Sequence, residues 1–141
     1  FGDPRETPGC IPDPLFGAKY INEIYFKADP QYSGRFTVPV LFDSKLNTIV
    51  SNESADILRI FNSEFNDLCT NPSLDLYPES MRGEIDSLNE WVYEGLNNGV
   101  YKAGFATAQE HYESNAKLVY ESLKRVELIL SNQEYLVGDT I

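Results

Sequence analysis

Apolar residues along this chain fall into stretches of different period. Val38 to Phe42 is a short apolar run suited to a buried strand. Asp43-Ser44-Lys45 supplies turn residues. Thr48-Ile49-Val50 is β-branched throughout and reads as a second strand paired back on the first. Ser51-Asn52-Glu53-Ser54 then offers helix-capping side chains. Ile57, Leu58 and Phe61 follow at helical spacing, so a helix is expected over 51–64. Thr37 to Phe61 therefore encodes strand, turn, strand, helix.

The flanks are helical in pattern. Residues 1–12 carry Gly2, Pro4, Pro8, Gly9 and Pro12 and form a loop. Asp13-Pro14 is an N-cap followed by proline at the first helical position. Leu15, Ala18, Ile21, Ile24, Tyr25 and Ala28 continue as one stripe until Pro30 ends it. After the central unit, Asn71-Pro72 and Tyr77-Pro78 break the chain. Glu79 to Tyr101 places Ile85, Leu88, Trp91, Val92, Leu96 and Val100 on one helical face. Asn98-Gly99 is expected to loosen or kink that helix, and Gly104 to end it. Thr107-x-x-Glu110 matches a capping box. Ala108, Tyr112, Val119, Leu123, Val126 and Leu130 follow on a second long helix. A short connection makes these two helices an antiparallel hairpin.

Two details of the central unit point to ligand chemistry. Pro39 lies inside a strand run, where a missing N–H is costly. A cis Val38-Pro39 bond is one solution, and it turns backbone groups of Val38 outward. Glu53-Ser54 stands at a helix N-terminus, where free N–H groups and the dipole favour a carboxylate ligand. The Glu53 carboxylate can take an ammonium. Together they suit a zwitterionic peptide; the plain alternative is a capped helix after a hairpin.

Charge and composition narrow the partners. The 141 residues carry a formal net charge of −11. With no basic patch to neutralise phosphates, nucleic acid and anionic membrane are excluded as partners. No stretch is apolar and long enough to span a bilayer, and no signal peptide is recognisable. Cys10 and Cys69 are far apart and in no Cys-x-x-Cys pattern, which reads as a reduced, cytoplasmic setting. His111 stands alone, so no metal site is expected.

Three separated runs in fixed order carry a resemblance. They are Tyr32-Ser33-Gly34-Arg35-Phe36-Thr37-Val38-Pro39-Val40-Leu41, Thr48-Ile49-Val50-Ser51-Asn52-Glu53-Ser54 and Asn97-Asn98-Gly99-Val100-Tyr101-Lys102-Ala103-Gly104-Phe105-Ala106. They resemble the glutathionyl-hydroquinone reductases, the xi class of glutathione transferases. The implied fold is α/β plus all-α. Residues 1–75 would be a partial thioredoxin-like, glutathione-binding domain, a β-hairpin with flanking helices. Residues 76–141 would begin the all-α C-terminal domain, stopping after its first helical hairpin.

The resemblance also implies roles. Arg35, Phe36, Thr37 and Val38 match the glutathione-binding run, with Val38 pairing to the peptide backbone. Glu53 and Ser54 match the γ-glutamyl site. Tyr101 matches the tyrosine that meets the hydroquinone and donates a proton. The implied cosubstrate is glutathione, the substrate a glutathionyl-hydroquinone, and the full-length assembly a homodimer. The nucleophilic Cys-Pro-Trp-Ala motif of the family is absent, so the chain reads as an internal fragment, inactive by itself. Cys10 does not replace that nucleophile. A thioredoxin-like fold needs a strand, and usually a helix, between the nucleophile helix and the proline strand, and only Asp29 to Phe36 intervenes here. The alternatives are an omega-like glutathione transferase with thioltransferase activity, which need not use Tyr101, and a non-catalytic interaction protein on the same scaffold.

Overall fold

A computed structural model describes residue 3 and residues 5–139. The parts of the 1–12 loop at positions 1, 2 and 4, and the chain's last two positions, lie outside the described residues. The chain divides into two compact units, Phe1–Pro72 and Ser73–Ile141.

In the first unit, α1 spans Ile21–Ala28, β1 Leu41–Asp43, β2 Thr48–Ser51 and α2 Ser54–Ser63. A 3₁₀ turn at Asn66–Leu68 follows. The expected helix from Asp13 is shorter than its apolar stripe. Asp13 does cap backbone amides, but of a turn: its carboxylate accepts from Leu15 at 3.0 Å, Phe16 at 3.2 Å and Ala18 at 3.1 Å. Gly17 then adopts φ +65°, which a continuing helix does not allow. The helix starts only at Ile21, where Glu23 Oε1 accepts from the amides of Lys19 (3.0 Å) and Tyr20 (2.9 Å).

The hairpin is antiparallel, with Phe42 opposite Ile49 and Asp43 opposite Thr48. Its first strand begins at Leu41, not Val38, because Pro39 has no N–H to donate and no strand lies beside 38–40 among the described residues. The Asp43 Oδ1 closes the turn by accepting from Lys45 (2.8 Å) and Leu46 (2.9 Å), and Asn47 sits at φ 54°. Packing centres on Ala18, Ile24 and Tyr25, the buried apolar residues of the described chain. Around Tyr25 stand Tyr32 and Phe36, with ring centroids 4.7 and 5.6 Å away. Phe16 meets Phe42 edge-on at 5.2 Å, and Lys27 Nζ lies 4.3 Å from the Phe16 ring centre.

In the second unit a 3₁₀ turn at Glu79–Met81 leads into α3, Arg82–Val92. The Tyr77 hydroxyl donates to Asp86 at 2.6 Å and Arg82 Nε donates to the Tyr77 carbonyl at 3.1 Å, fastening the preceding loop to this helix. The helix then passes through a π-helical segment, Tyr93–Asn97, before α4, Asn98–Gly104. The irregularity expected at Asn98-Gly99 thus falls one turn earlier, where the Asn98 amide reaches back to the Tyr93 carbonyl. Against this segment lies the partner helix α5, Gln109–Leu130. Gly95 and Gly99 are buried against Ser122 and Val119, close enough that a Cβ on Gly95 would overlap the Ser122 hydroxyl. The pairings 95 with 122 and 99 with 119 run antiparallel, as the hairpin expectation requires.

Two further readings of this unit need correction. The N-cap of α5 is Ala108, one residue past Thr107, and no side chain caps it, so there is no capping box. Glu110 instead occupies the first turn, where a carboxylate complements the dipole. The inward face of α5 holds only part of the expected stripe, Val119 and Val126. Tyr112, Leu123 and Leu130 are exposed, while Ala116, Val119, Ser122, Val126 and Ile129 turn inward. Small side chains sit at the crossing because only they admit backbones this close.

Candidate functional site

The first unit builds one concentrated polar junction. Gly34 ends the loop after α1, and any Cβ there would run into the Tyr32 ring, whose hydroxyl donates to the Arg35 carbonyl at 2.8 Å. Arg35 is exposed and makes no ion pair among the described residues. Phe36 faces the other way, into the aromatic cluster, 5.3 Å from Phe26 and 5.6 Å from Tyr32. Its ring therefore packs the core edge.

Thr37 is held on both backbone groups by a single side chain. The Tyr25 hydroxyl donates to the Thr37 carbonyl at 2.9 Å and accepts from the Thr37 amide at 3.3 Å. The next residue is different. Val38 is 74% exposed, its bond to Pro39 is cis, and its amide and carbonyl have no partner among the described residues. An exposed residue with both backbone groups free is what an extended peptide needs to pair with.

Glu53 and Ser54 form the second half. Glu53 is the N-cap of α2, but its side chain caps nothing; the Ser51 hydroxyl instead accepts from the Glu53 amide at 3.1 Å. The first intrahelical bond runs from the Ile57 amide to the Glu53 carbonyl at 3.0 Å. The amides of Ser54, Ala55 and Asp56 precede it, so they point out of the helix end with the positive dipole behind them. The Glu53 carboxylate stands exposed beside them. This end can hold a carboxylate on amides and an ammonium on Glu53.

Asn52 joins the halves. Its Nδ2 donates to the Tyr25 hydroxyl and to Thr37 Oγ1, each at 3.0 Å. Thr37-Val38 and Glu53-Ser54, well separated in sequence, are thereby tied to one point. Sequence reasoning singles out neither Tyr25 nor Asn52. Tyr25 falls within an apolar stripe, and Asn52 reads as one of four capping residues. A tyrosine buried in a stripe always needs a partner for its hydroxyl, and that is the available signal.

Tyr101 lies in the second unit, on α4. It is 65% exposed, and its ring stacks on Phe105 with centroids 6.3 Å apart and planes 10° apart. Its phenol has no hydrogen-bond partner among the described residues. One residue on, Lys102 Nζ meets Glu94 Oε2 at 2.6 Å; that hydrogen bond and charge hold Glu94 below the usual carboxylate range. A groove of about 490 Å³ in this unit, lined by Leu88, Trp91, Arg125 and Leu136 among others, contains none of the candidate residues. Cys10 and Cys69 are both free thiols. Among the described residues no group of three or more His, Cys, Asp or Glu is placed to hold a metal ion, and no helix is long and apolar enough to cross a membrane.

Comparison with known proteins agrees with this architecture. No family model matches the chain. The glutathione S-transferase omega-like 2 of Schizosaccharomyces pombe is 51% identical over 132 residues, which are 90% of this chain and 42% of that protein. The glutathionyl-hydroquinone reductase YqjG of Escherichia coli is 50% identical over 134 residues, 95% of this chain and 40% of that protein. Its glutathione-bound structure superposes with a TM-score of 0.89 over 95% of this chain and 43% of that one. The crystal structure of glutathione transferase Xi 1 from Trametes versicolor gives 0.90, with 53% identity, over 95% of this chain and 47% of that one. The chain thus spans about 40% of the length of the curated relatives it matches. A partial thioredoxin-like unit followed by a helical one is the plan of a glutathione transferase. Over the stretch it shares with these relatives, the chain is similar to a xi-class glutathione transferase and to a glutathionyl-hydroquinone reductase.

Proposed function

We propose that this chain supplies the glutathione-binding and proton-donating parts of a glutathionyl-hydroquinone reductase. The observation that carries the proposal is the pairing of an exposed Val38, its backbone groups free, with the amide-rich, Glu53-flanked start of α2. Glutathione is a zwitterionic peptide and has groups for both. Its cysteinyl backbone pairs with Val38, its γ-glutamyl carboxylate takes the α2 amides and the Ser54 hydroxyl, and its ammonium takes Glu53. Arg35, with its guanidinium fork free, binds a remaining carboxylate. The runs around these residues resemble those of the reductases, and one similar protein was solved with glutathione bound.

In the reaction a cysteine thiolate attacks the sulfur of the glutathionyl-hydroquinone. The carbon–sulfur bond breaks and its electron pair goes to the ring carbon, which takes a proton from the Tyr101 phenol. A mixed disulfide between the cysteine and glutathione remains, and a second glutathione resolves it by thiol exchange to glutathione disulfide. The thiolate belongs to the family's Cys-Pro-Trp-Ala motif, which is not among these residues; neither Cys10 nor Cys69 takes its place. Residues 1–75 act as the glutathione-binding domain and residues 76–141 as the start of the helical domain, in a cytoplasmic homodimer.

The test is a comparison of two variants in the intact protein. Tyr101→Phe keeps the ring and loses the proton, so turnover should fall by about 10²-fold while glutathione affinity stays near wild type. Glu53→Ala should weaken glutathione binding instead. If Tyr101→Phe leaves turnover unchanged and Glu53→Ala leaves affinity unchanged, both assignments fail.

A further inference from the structure

We infer that Tyr25 and Asn52 are positioning residues: their hydrogen-bonded junction with Thr37 holds the two halves of the glutathione site in register. This rests on the glutathione reading above.

The junction is complete in donors and acceptors. A phenol hydroxyl has one hydrogen to give and two lone pairs. Here the hydrogen goes to the Thr37 carbonyl (2.9 Å), and the oxygen also faces the Thr37 amide (3.3 Å), Asn52 Nδ2 (3.0 Å) and Thr37 Oγ1 (3.2 Å). The second hydrogen on Asn52 Nδ2 goes to Thr37 Oγ1 at 3.0 Å. Tyr25 is 2% exposed, so its ring is a fixed post set by α1 and the surrounding aromatics. Thr37 immediately precedes Val38, and Asn52 immediately precedes Glu53. Fixing the backbone of Thr37 fixes where the Val38 amide and carbonyl point. Fixing Asn52 sets where the α2 N-terminus sits relative to them. The antiparallel hairpin between these segments is short and has a register shift between Leu41 and Phe42, and the junction adds a second tie between them.

A ligand that must touch both segments gains affinity from that preorganisation. Tyr25→Phe keeps the ring among its aromatic neighbours but strips partners from both backbone groups of Thr37 and from Asn52. Asn52→Ala cuts the same link from the other side. Each should weaken glutathione binding by about tenfold or more, the size expected when at least one such bond is lost. The signature is non-additivity: the double variant should bind no worse than the weaker single one, because both remove one link. The turnover number at saturating glutathione should fall much less than the apparent affinity.

The experiment is calorimetric titration of the intact protein with glutathione, alongside Glu53→Ala, with thermal unfolding of each variant. Weakened, non-additive binding by folded Tyr25→Phe and Asn52→Ala supports the inference. Lower unfolding midpoints with unchanged glutathione affinity of the folded protein overturn it. Should Tyr25→Phe fail to fold, Asn52→Asp decides, since it keeps the shape of the side chain and loses both donated hydrogens; wild-type affinity there overturns the inference. If Glu53→Ala weakens binding and the junction variants do not, the inference fails and the glutathione reading stands. If the unsubstituted protein binds no glutathione, both fail.

Discussion

Gly95→Ala isolates what the close helix crossing contributes. In an open helix this exchange is stabilising, by about 1 kcal/mol, because alanine loses less backbone entropy than glycine. At Gly95 the added Cβ would overlap the Ser122 hydroxyl oxygen and lie 3.0 Å from Ser122 Cβ. Ser122 is 7% exposed and sits on the inner face of α5, so it cannot swing aside into solvent. The helices must separate or the π-helical segment must reseat. Overpacking of this kind costs about 1–3 kcal/mol, so the net loss should be about 0–2 kcal/mol. Gly83→Ala is the control, since its Cβ meets nothing within 4 Å; it should be neutral or stabilising. The decisive variant adds Ser122→Gly to Gly95→Ala. It removes the obstructing side chain, so Gly95→Ala should be better tolerated in that background than in the wild type, by about 1 kcal/mol or more of coupling. Urea denaturation of the four proteins in the cycle reads this directly. If Gly95→Ala is as benign as Gly83→Ala, or if its cost is the same with and without Ser122, the crossing does not depend on that contact.

Other outcomes follow from the same structure. The amides of Leu46 and Lys45, donated to Asp43, hold its carboxyl below the ordinary aspartate range. A depressed folded-state value means the turn's contribution is present above the unfolded aspartate range and is lost as pH falls through the lowered folded value; NMR titration of the Leu46 amide should show its midpoint there, and a midpoint at or above the ordinary value contradicts the turn geometry. Both units of the chain leave large apolar side chains exposed. Leu58, Phe61, Leu68, Phe105 and Leu128 are among its exposed apolar residues. Expressed by itself it should therefore self-associate, and a monomer at all concentrations in sedimentation, with a sharp thermal transition, would contradict that.

What could be read in the sequence depended on how local its cause was. The β-branched Thr48-Ile49-Val50 and the turn after Asp43 are local, and the hairpin forms there, with its first strand shifted to Leu41–Asp43. Asp13 is legible as an acceptor of backbone amides, but the same carboxylate chemistry serves a helix cap and a tight turn; only the positive φ of Gly17 decides between them. The π-helical segment is not legible, because the close approach of Gly95 and Gly99 to Ser122 and Val119 involves another helix. Of the stripe on α5, Val119 and Val126 turn inward while Tyr112, Leu123 and Leu130 stay exposed, because hydrophobicity alone does not mark which face meets Gly95 and Gly99. For the candidate site, proline and helix-end chemistry point to Val38, Glu53 and Ser54. Tyr25 and Asn52 escape that reasoning because their partners lie 12 and 27 positions apart along the chain.

The most direct test of the functional account is the product balance of the intact protein with a glutathionyl-hydroquinone and glutathione. Chromatographic quantitation should find one hydroquinone released for each glutathione disulfide formed, because the thiolate removes glutathione from the ring and a second glutathione resolves it. Glutathione disulfide formed from a simple mixed-disulfide substrate, with the glutathionyl-hydroquinone left intact, would mark a thioltransferase and contradict the account. So would intact glutathionyl-hydroquinone in the presence of demonstrably bound glutathione.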